Sequence, residues 1–366
     1  MSEQTLGIIA VYLDGTTFEE LGYYKKLSIY AKQMGLSIAV FTPLEYSAAR
    51  REIHAYVYDI EDEIWTRKWV PIPSLIYDRC RYHGADKYRM LRAFRNRHKL
   101  NYMAKPLTNK WALHQVMSED PLIGTMLPNT KQYTTNAALL NFLRKHKVIY
   151  LKPKSGTGGR GIVRLQLKED NTCVIEGRNA NRTIMTPQRI ALKDIASKLT
   201  PWKIDERYLI QQGIDLSLPN GRVHDYRLLI QKDGEGYWDI TGVAGRIGPQ
   251  RSITSNLHGG GTAISMDKLL EQRFNSRKKI SEIVENVNEL GYQTAYFLEE
   301  RYGQLCELGL DIAIDPDGGV WLLEVNPKPS REVFSKIGET KTYRKAIKRP
   351  LEYAKMLLSE ASFIEK

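Results

Sequence analysis

Residues 151–161 read LKPKSGTGGRG and run on at 162–167 as IVRLQL, and the fold turns on what this stretch becomes. Gly156, Gly158 and Gly161 have the G-x-G-x-x-G spacing seen where backbone closes over phosphate. In a dinucleotide-binding fold a helix follows the glycines, with an acid about twenty residues on. Glu176 stands at that distance, but the segment between is not helical in pattern. Ile162, Arg164 and Gln166 alternate with Val163, Leu165 and Leu167, and a polar turn leads into TCVIEG. That is period two, which predicts strand, turn, strand. A Walker P-loop is excluded as well, because no Lys-Ser or Lys-Thr follows the last glycine. The glycines therefore read as a flap between antiparallel strands, with amides that glycine lets approach a phosphate closely. Lys152, at the end of the preceding strand, adds a point charge. A plain flexible hairpin is the alternative.

A second constellation lies at 308–330, LGLDIAIDPDGGVWLLEVNPKPS. Taking Asp317-Gly318 as a two-residue hairpin loop places Asp311 opposite Glu324, with Asn326 two residues on along the same face. Leu310, Ile312, Leu323 and Val325 make the other face apolar, which counts against a surface-facing edge hairpin. Opposed carboxylates are unfavourable without compensation. A divalent cation supplies it, and an all-oxygen set points to Mg²⁺ or Mn²⁺ held jointly with ATP phosphates.

Around these, the first hundred residues alternate strand and helix signals. LGIIAVYL (6–13), LSIAVFTP (36–43) and PSLIYDRC (73–80) are apolar runs of strand length, and 18–35 has helical spacing closed by glycine. Strand–helix–strand order predicts a small parallel α/β lobe. Helices are expected over 109–120 and 137–147, an extended stretch over 127–134 and a strand over 148–153. The stretch 340–366 reads as an amphipathic helix packing on the body through Ile347, Leu351, Ala354 and Leu358.

The 366 residues suffice for two or three lobes, and no run approaches the roughly 20 apolar residues of a membrane span. The N-terminus lacks the marks of a secretory signal, and Cys80, Cys173 and Cys306 fall without metal-site spacing. Reduced, structural thiols in a cytoplasmic protein are expected. Net charge is +12, and its richest patch is RCRYHGADKYRMLRAFRNRHK, 79–99. It reads as a solvated helix face with some charge directed to nucleotide or substrate. No zinc finger, RRM signature or helix-turn-helix accompanies it, so neither a nucleic-acid nor a membrane partner is expected.

In order and spacing these elements resemble the ATP-grasp superfamily of carboxylate–amine ligases. Lys110 opens the central region, Lys152 and the flap follow, then a hinge strand RYLIQQGID (207–215), D-x-R at Asp225 and Arg227, and finally Asp311 and EVN. The chain is similar in particular to the YheC/YheD endospore coat-associated family of Bacillus-type bacteria, through HDYRLLIQ (224–231), VAGRIGPQRSITSNLHGGG (243–261) and the 308–330 segment. The resemblance implies an α/β and α+β architecture, an ATP-grasp fold with an N-terminal Rossmann-like pre-ATP-grasp domain. Its implied units are 1–105, a central lid subdomain over 106–205, and a C-terminal subdomain over 206–366 with the magnesium site and C-terminal helix.

Carried over residue by residue, the resemblance implies that Lys110 and Lys152 bind ATP phosphates beneath Ser155, Gly156, Thr157, Gly158, Gly159 and Gly161. Gln211 stands where many members have glutamate against adenine, Gln212 and the Ile214 backbone accompany it, and Asp215 is the candidate for ribose. Asp311, Glu324 and Asn326 match magnesium ligands. Arg227 and Arg246 match arginines that hold phosphate or acyl-phosphate oxygens, and a strand pair of Arg227 with Asp225 is the alternative. The segment SNLHGGG (255–261) resembles the loop that closes near the transferred phosphate, which nominates Asn256 and His258, with a polar loop residue of no catalytic duty as the alternative for His258. The implied reaction joins an unidentified carboxylate, such as that of an acidic peptide or protein, to an amine through an acyl phosphate during sporulation. The implied setting is the mother-cell cytoplasm or spore coat, as a homodimer. A kinase on the same scaffold and a coat structural protein with a vestigial site are the alternatives.

Overall fold

The computed structural model describes residues 4–12, 17–81, 85–98, 100–154, 160–179, 181, 183–255, 257 and 260–364. Among these the strands form three sheets. The first is built from β1 (Gln4–Ile9), α1 (Leu21–Gln33), β2 (Leu36–Phe41), β3 (Tyr46–Ser47), β4 (Glu52–Tyr58), β5 (Trp65–Pro71), β6 (Leu75–Asp78), α2 (Ala85–Arg97) and β7 (Asn101–Tyr102). Its centre, β2-β1-β6-β7, is parallel as expected. The antiparallel β3, β4 and β5 extend it beyond β2, an addition the alternation signals did not show.

Helices α3 (Lys110–Met117) and α4 (Pro121–Thr125) come next, N-capped by the side chains of Asn109 and Asp120. Leu113, Met117, Ile123 and Leu127 from this region enter the core of the third sheet rather than the second.

The second sheet takes β8 (Thr130–Gln132), β9 (Val148–Pro153), β10 (Ile162–Leu167), β11 (Thr172–Arg178), β12 (Ile184–Ala191) and β13 (Tyr208–Gln212), with α5 (Asn136–His146) and α6 (Ile195–Leu199) on one face. Strict alternation along β9 and β10 sends Ile149, Leu151, Val163 and Leu165 into the core beneath α5, beside Leu139 and Leu143. The opposite face is polar, because the intervening positions are Tyr150, Lys152 and Arg164.

The third sheet has the order β16-β15-β14-β17-β18, from β14 (His224–Lys232), β15 (Trp238–Ile247), β16 (Thr262–Ser265), β17 (Glu307–Ile314) and β18 (Val320–Asn326). Helices α7 (Met266–Glu271) and α8 (Arg277–Tyr302) cover one face, with Ile283, Val287, Leu290 and Leu298 at helical spacing against Leu228, Leu308, Leu310 and Ile312. After α9 (Glu332–Lys336), the final helix α10 (Thr340–Ile364) buries Ile347, Leu351, Ala354 and Leu358 as the pattern predicts. Its main partner is the core of the first sheet, where these residues meet Leu27, Ala31 and Tyr24. No helix among the described residues is long and apolar enough to cross a membrane.

Candidate active site between two sheets

Antiparallel pairing sets Gln211 against Tyr150 and Leu209 against Lys152, so Lys152 and Gln211 are diagonal neighbours on the polar face of the second sheet. The Lys152 ammonium donates to Gln211 Oε1 at 2.5 Å, and Gln211 Nε2 donates to Thr130 Oγ1 at 3.1 Å. Both ends of the hinge amide are therefore held. Arg164 lies opposite Tyr150 on one side and Glu176 on the other, and its guanidinium pairs with Glu176. The acid at dinucleotide-motif spacing is thus a cross-strand partner, as a hairpin requires.

Burial pushes the Lys152 ammonium down to about 8, with Lys110 acting in the same direction and Glu324, Asp311 and Asp225 opposing. Those neighbours define the site. Lys152 projects from the second sheet, while Lys110 heads α3 and the three acids stand on the third sheet. The two constellations, far apart in sequence, face each other across one cleft.

On the acid side the register pairs Gly309 with Asn326, Leu310 with Val325 and Asp311 with Glu324, as expected, but by a different route. The loop is not the two residues Asp317-Gly318. Strand pairing ends at Ile314–Val320, and Asp315 accepts from the backbone N–H groups of Gly318 and Gly319 through its carbonyl and side chain respectively. Gly318 supplies the positive φ of 85° that this turn needs. A register shift after Asp311 then leaves Leu323 as an extra residue in β18. The longer loop and the bulge offset one another, so the acids meet. The bulge also corrects the expected core face, since Leu322 and not Leu323 packs inside.

Both nominated arginines gather on Asp311. Arg227 Nε donates to Asp311 Oδ1 at 2.6 Å, and the Arg246 guanidinium lies 3.1 Å from Asp311 Oδ2. Arg246 also donates two bonds of 2.6 Å to Asp225. The alternative pairing of Arg227 with Asp225 is therefore corrected, because Arg246, directly opposite on β15, takes that acid. Burial alone would raise the Asp311 carboxyl, but Arg227 and Arg246 outweigh it and hold it below the usual range. Burial likewise opposes the charge of Arg246, yet Asp225 and Asp311 raise its pKa further above the ordinary value. Lys110 Nζ sits 3.0 Å from Glu324 Oε1. The Asn326 side-chain nitrogen is buried with no hydrogen-bond partner.

The remaining nominated residues divide. Gly161 is at the flap base with φ 65°, its N–H on Asn179 O at 3.2 Å. The Gln212 side chain turns to the Asn129 backbone N–H at 3.3 Å, away from the Lys152 face. Ile214 is half-buried just past the hinge, and Asp215 is exposed, its carboxylate accepting from Ser217 N–H at 3.0 Å. Ser155, Gly156, Thr157, Gly158, Gly159, Asn256 and His258 lie outside the described residues.

Sequence reasoning missed three features. Arg178, buried at the end of β11, donates to Thr254 Oγ1 at 2.9 Å and so ties the flap hairpin to the 249–255 loop. Lys328, two residues after Asn326, reaches Asp78 Oδ1 at 2.8 Å and Cys80 O at 2.6 Å on the first sheet. Burial pushes its ammonium down to about 7. Glu307 lies fully inside among Arg79, Arg331, Tyr77 and Gln231. Only its place at the head of an apolar strand hinted at a buried charge.

The YheC/D-like ATP-grasp family model matches residues 99–357. Endospore coat-associated protein YheC of Bacillus subtilis (strain 168) is 28% identical over 349 residues, covering 94% of each chain. YheD of the same strain is 28% identical over 348 residues, covering 93% of this chain and 74% of the relative. Among solved structures, D-cycloserine synthetase DcsG superposes with a TM-score of 0.55 at 12% identity, covering 97% of this chain and 99% of the other. N5-carboxyaminoimidazole synthetase from Staphylococcus aureus gives 0.52 at 11%, covering 95% and 77%. The ATP-grasp ligase PsnB, in complex with a variant precursor, Mg and ADP, gives 0.51 at 12%, covering 95% and 99%. With more than half its length matched by the family model, the chain belongs to the YheC/D-like ATP-grasp family.

Proposed function

We propose that this protein is an ATP-dependent ligase that joins a carboxylate to an amine, and that its units are the expected 1–105, 106–205 and 206–366. The observation that carries the reading is the meeting of Lys152 with Lys110, Asp311 and Glu324 across the cleft. A partly buried lysine whose ammonium is pushed down to about 8, beside an acid pair, suits a phosphate site with its counter-charges in place.

The residues present fit a divalent cation. Among the described residues no three His, Cys, Asp or Glu side chains converge, so the donor set is two carboxylates and the Asn326 amide. That amide ends in a buried atom without a partner, and turning it over would direct its oxygen there. Such a set suits magnesium, which takes few protein ligands and completes its shell with phosphate oxygens and water. Asp311, Glu324 and Asn326 would hold the ion, which when bound would neutralise charge on the phosphates of ATP.

The chain's own groups do the rest. Lys152 and Lys110 place positive charge against the phosphates, and Lys110 leaves Glu324 to do so. Gln211, held by Thr130, presents its amide at the hinge. Arg227 and Arg246, anchored by Asp311 and Asp225, hold oxygens of the transferred phosphoryl group. A substrate carboxylate oxygen attacks the γ-phosphorus and ADP leaves. The amine then attacks the acyl carbon and phosphate departs, forming the amide. PsnB, of the same fold, has been solved with a precursor peptide, which supports a peptide or protein as the carboxylate substrate. The spore-coat naming of YheC and YheD supports a role in sporulation.

Hydroxylamine trapping tests the reading. Purified protein, MgATP and pools of carboxylates and acidic peptides should yield a hydroxamate with wild type and none with Glu324→Ala. ADP without hydroxamate would favour a kinase, and no MgATP binding at all would sink the enzyme reading.

A further inference from the structure

Residues 79–99 contain eight Lys or Arg against one Asp, a net +7 within a chain whose total is +12. The structure sorts these charges into two kinds. Arg79 and Arg81 are drawn inward: Arg79 donates to Pro329 O and Arg81 to Lys328 O, both at 3.0 Å, and each pairs with Glu20. Asp78 joins Lys328 to Arg95 on α2. The root of α2 is thereby stitched to the segment that directly follows Asn326.

The second kind faces outward. α2 buries Leu91 and Phe94 against the first sheet and exposes positions 89, 92, 93, 96 and 97. Arg92 and Arg97 are therefore the core of a cationic face on this helix, which Arg89 continues. Neither Arg92 nor Arg97 has an ion-pair partner among the described residues.

Resting on the ligase reading, we infer that the exposed arginine face of α2 is the docking surface for an acidic peptide segment that brings the reactive carboxylate to the cleft. A carboxylate substrate is an anion before it reacts. A segment bearing several Glu or Asp residues offers one group to the chemistry and the others to the stripe. Charges within a Debye length, about 8 Å at physiological salt, add to its capture and orient its approach. Among the described residues of α2 the exposed positions hold no aromatic ring on which a nucleobase would stack, and this favours a peptide over a single-stranded nucleic acid.

The test uses the full chain and fluorescein-labelled octaglutamate, with octaglutamine and an oligodeoxynucleotide of equal length as comparisons, read by anisotropy at physiological ionic strength. MgATP binding is measured on the same samples. Octaglutamate should bind, octaglutamine should not, and Arg92→Glu/Arg97→Glu should weaken octaglutamate about 10-fold or more. Arg92→Gln/Arg97→Gln should give a smaller loss of the same sign. MgATP binding that persists in both variants shows the protein is folded and its nucleotide site intact. Octaglutamate affinity equal in wild type and folded variants would overturn the inference. So would an oligonucleotide that binds more tightly than octaglutamate and is lost on the same substitutions. Wild type that fails to bind MgATP, with octaglutamate lost on charge reversal in variants that keep the wild-type circular-dichroism spectrum, would sink the ligase reading and leave the acidic-peptide surface standing.

Discussion

Replacing Lys152 with methionine separates a phosphate-binding lysine from a structural one, because the two roles predict opposite signs. Burial takes this ammonium from 10.5 to about 8. At about 1.36 kcal/mol per pKa unit, keeping it charged at pH 7 costs the fold about 3 kcal/mol. The sign follows from linkage: the unfolded chain holds the proton more tightly, so stability is lower below pH 8 and recovers as pH rises toward 10.5. Methionine removes that cost but leaves Gln211 Oε1 without its donor, a loss of about 1–3 kcal/mol. The net expectation from urea unfolding at pH 7 is a change between zero and a gain of about 2 kcal/mol. MgATP binding should move the other way. Losing a charge-assisted bond to phosphate, about 1.5–3 kcal/mol, weakens affinity roughly 10- to 100-fold by calorimetry. In wild type, affinity should fall as pH rises through about 8 and the ammonium discharges, while Lys152→Met should be flat there. A variant destabilised by more than about 2 kcal/mol with unchanged ATP affinity would refute the reasoning and make Lys152 a packing residue.

Glu324→Ala should abolish the Mg²⁺ dependence of ATP binding while leaving the urea midpoint close to wild type, since the carboxylate lies at the half-exposed cleft wall; unchanged Mg²⁺ dependence would remove it from the ligand set. Glu307→Gln leaves Arg79 and Arg331 buried against a neutral amide and should cost about 3 kcal/mol in urea unfolding, and a loss under about 1 kcal/mol would show that the cluster contributes little. Burial lowers the His224 imidazole to about 4 from 6.5 while its Nδ1 donates to Leu216 O at 2.6 Å. The unfolded chain takes the proton first, so stability present above pH 6.5 is lost as pH falls toward 4, by about 3 kcal/mol from this group. His224→Asn should lose correspondingly less over that window, and equal pH slopes in the two proteins would count against a buried neutral histidine.

The flap hairpin was legible because period-two alternation from 162 to 167 is a local property of strands, and a crossover helix had no room. The opposition of Asp311 and Glu324 was legible too, although its expected route was wrong. Bulges answer to local backbone geometry and packing that residue spacing does not express, so the extra Leu323 was invisible and the loop length was misjudged to match. Gln211 could be placed on the hinge strand, but its clasp by Lys152 and Thr130 depends on which strands flank it.

The amino-acid sequence by itself determined the strands and helices that carry the site, their polar and apolar faces except where the bulge in β18 turns Leu323 out of the core, and the membership that follows from their order. Those features are set by short-range periodicity, capping residues and turn chemistry. Tertiary structure alone decided which charges meet. It brought Lys152 within the field of Glu324 and Asp311, gave Asp225 to Arg246 rather than Arg227, and placed α10 against the first sheet. It also buried Glu307 among two arginines and turned Arg92 and Arg97 outward on the same segment that sends Arg79 inside. Coulomb interactions depend on distance and burial, and both are fixed only when distant parts of the chain have packed.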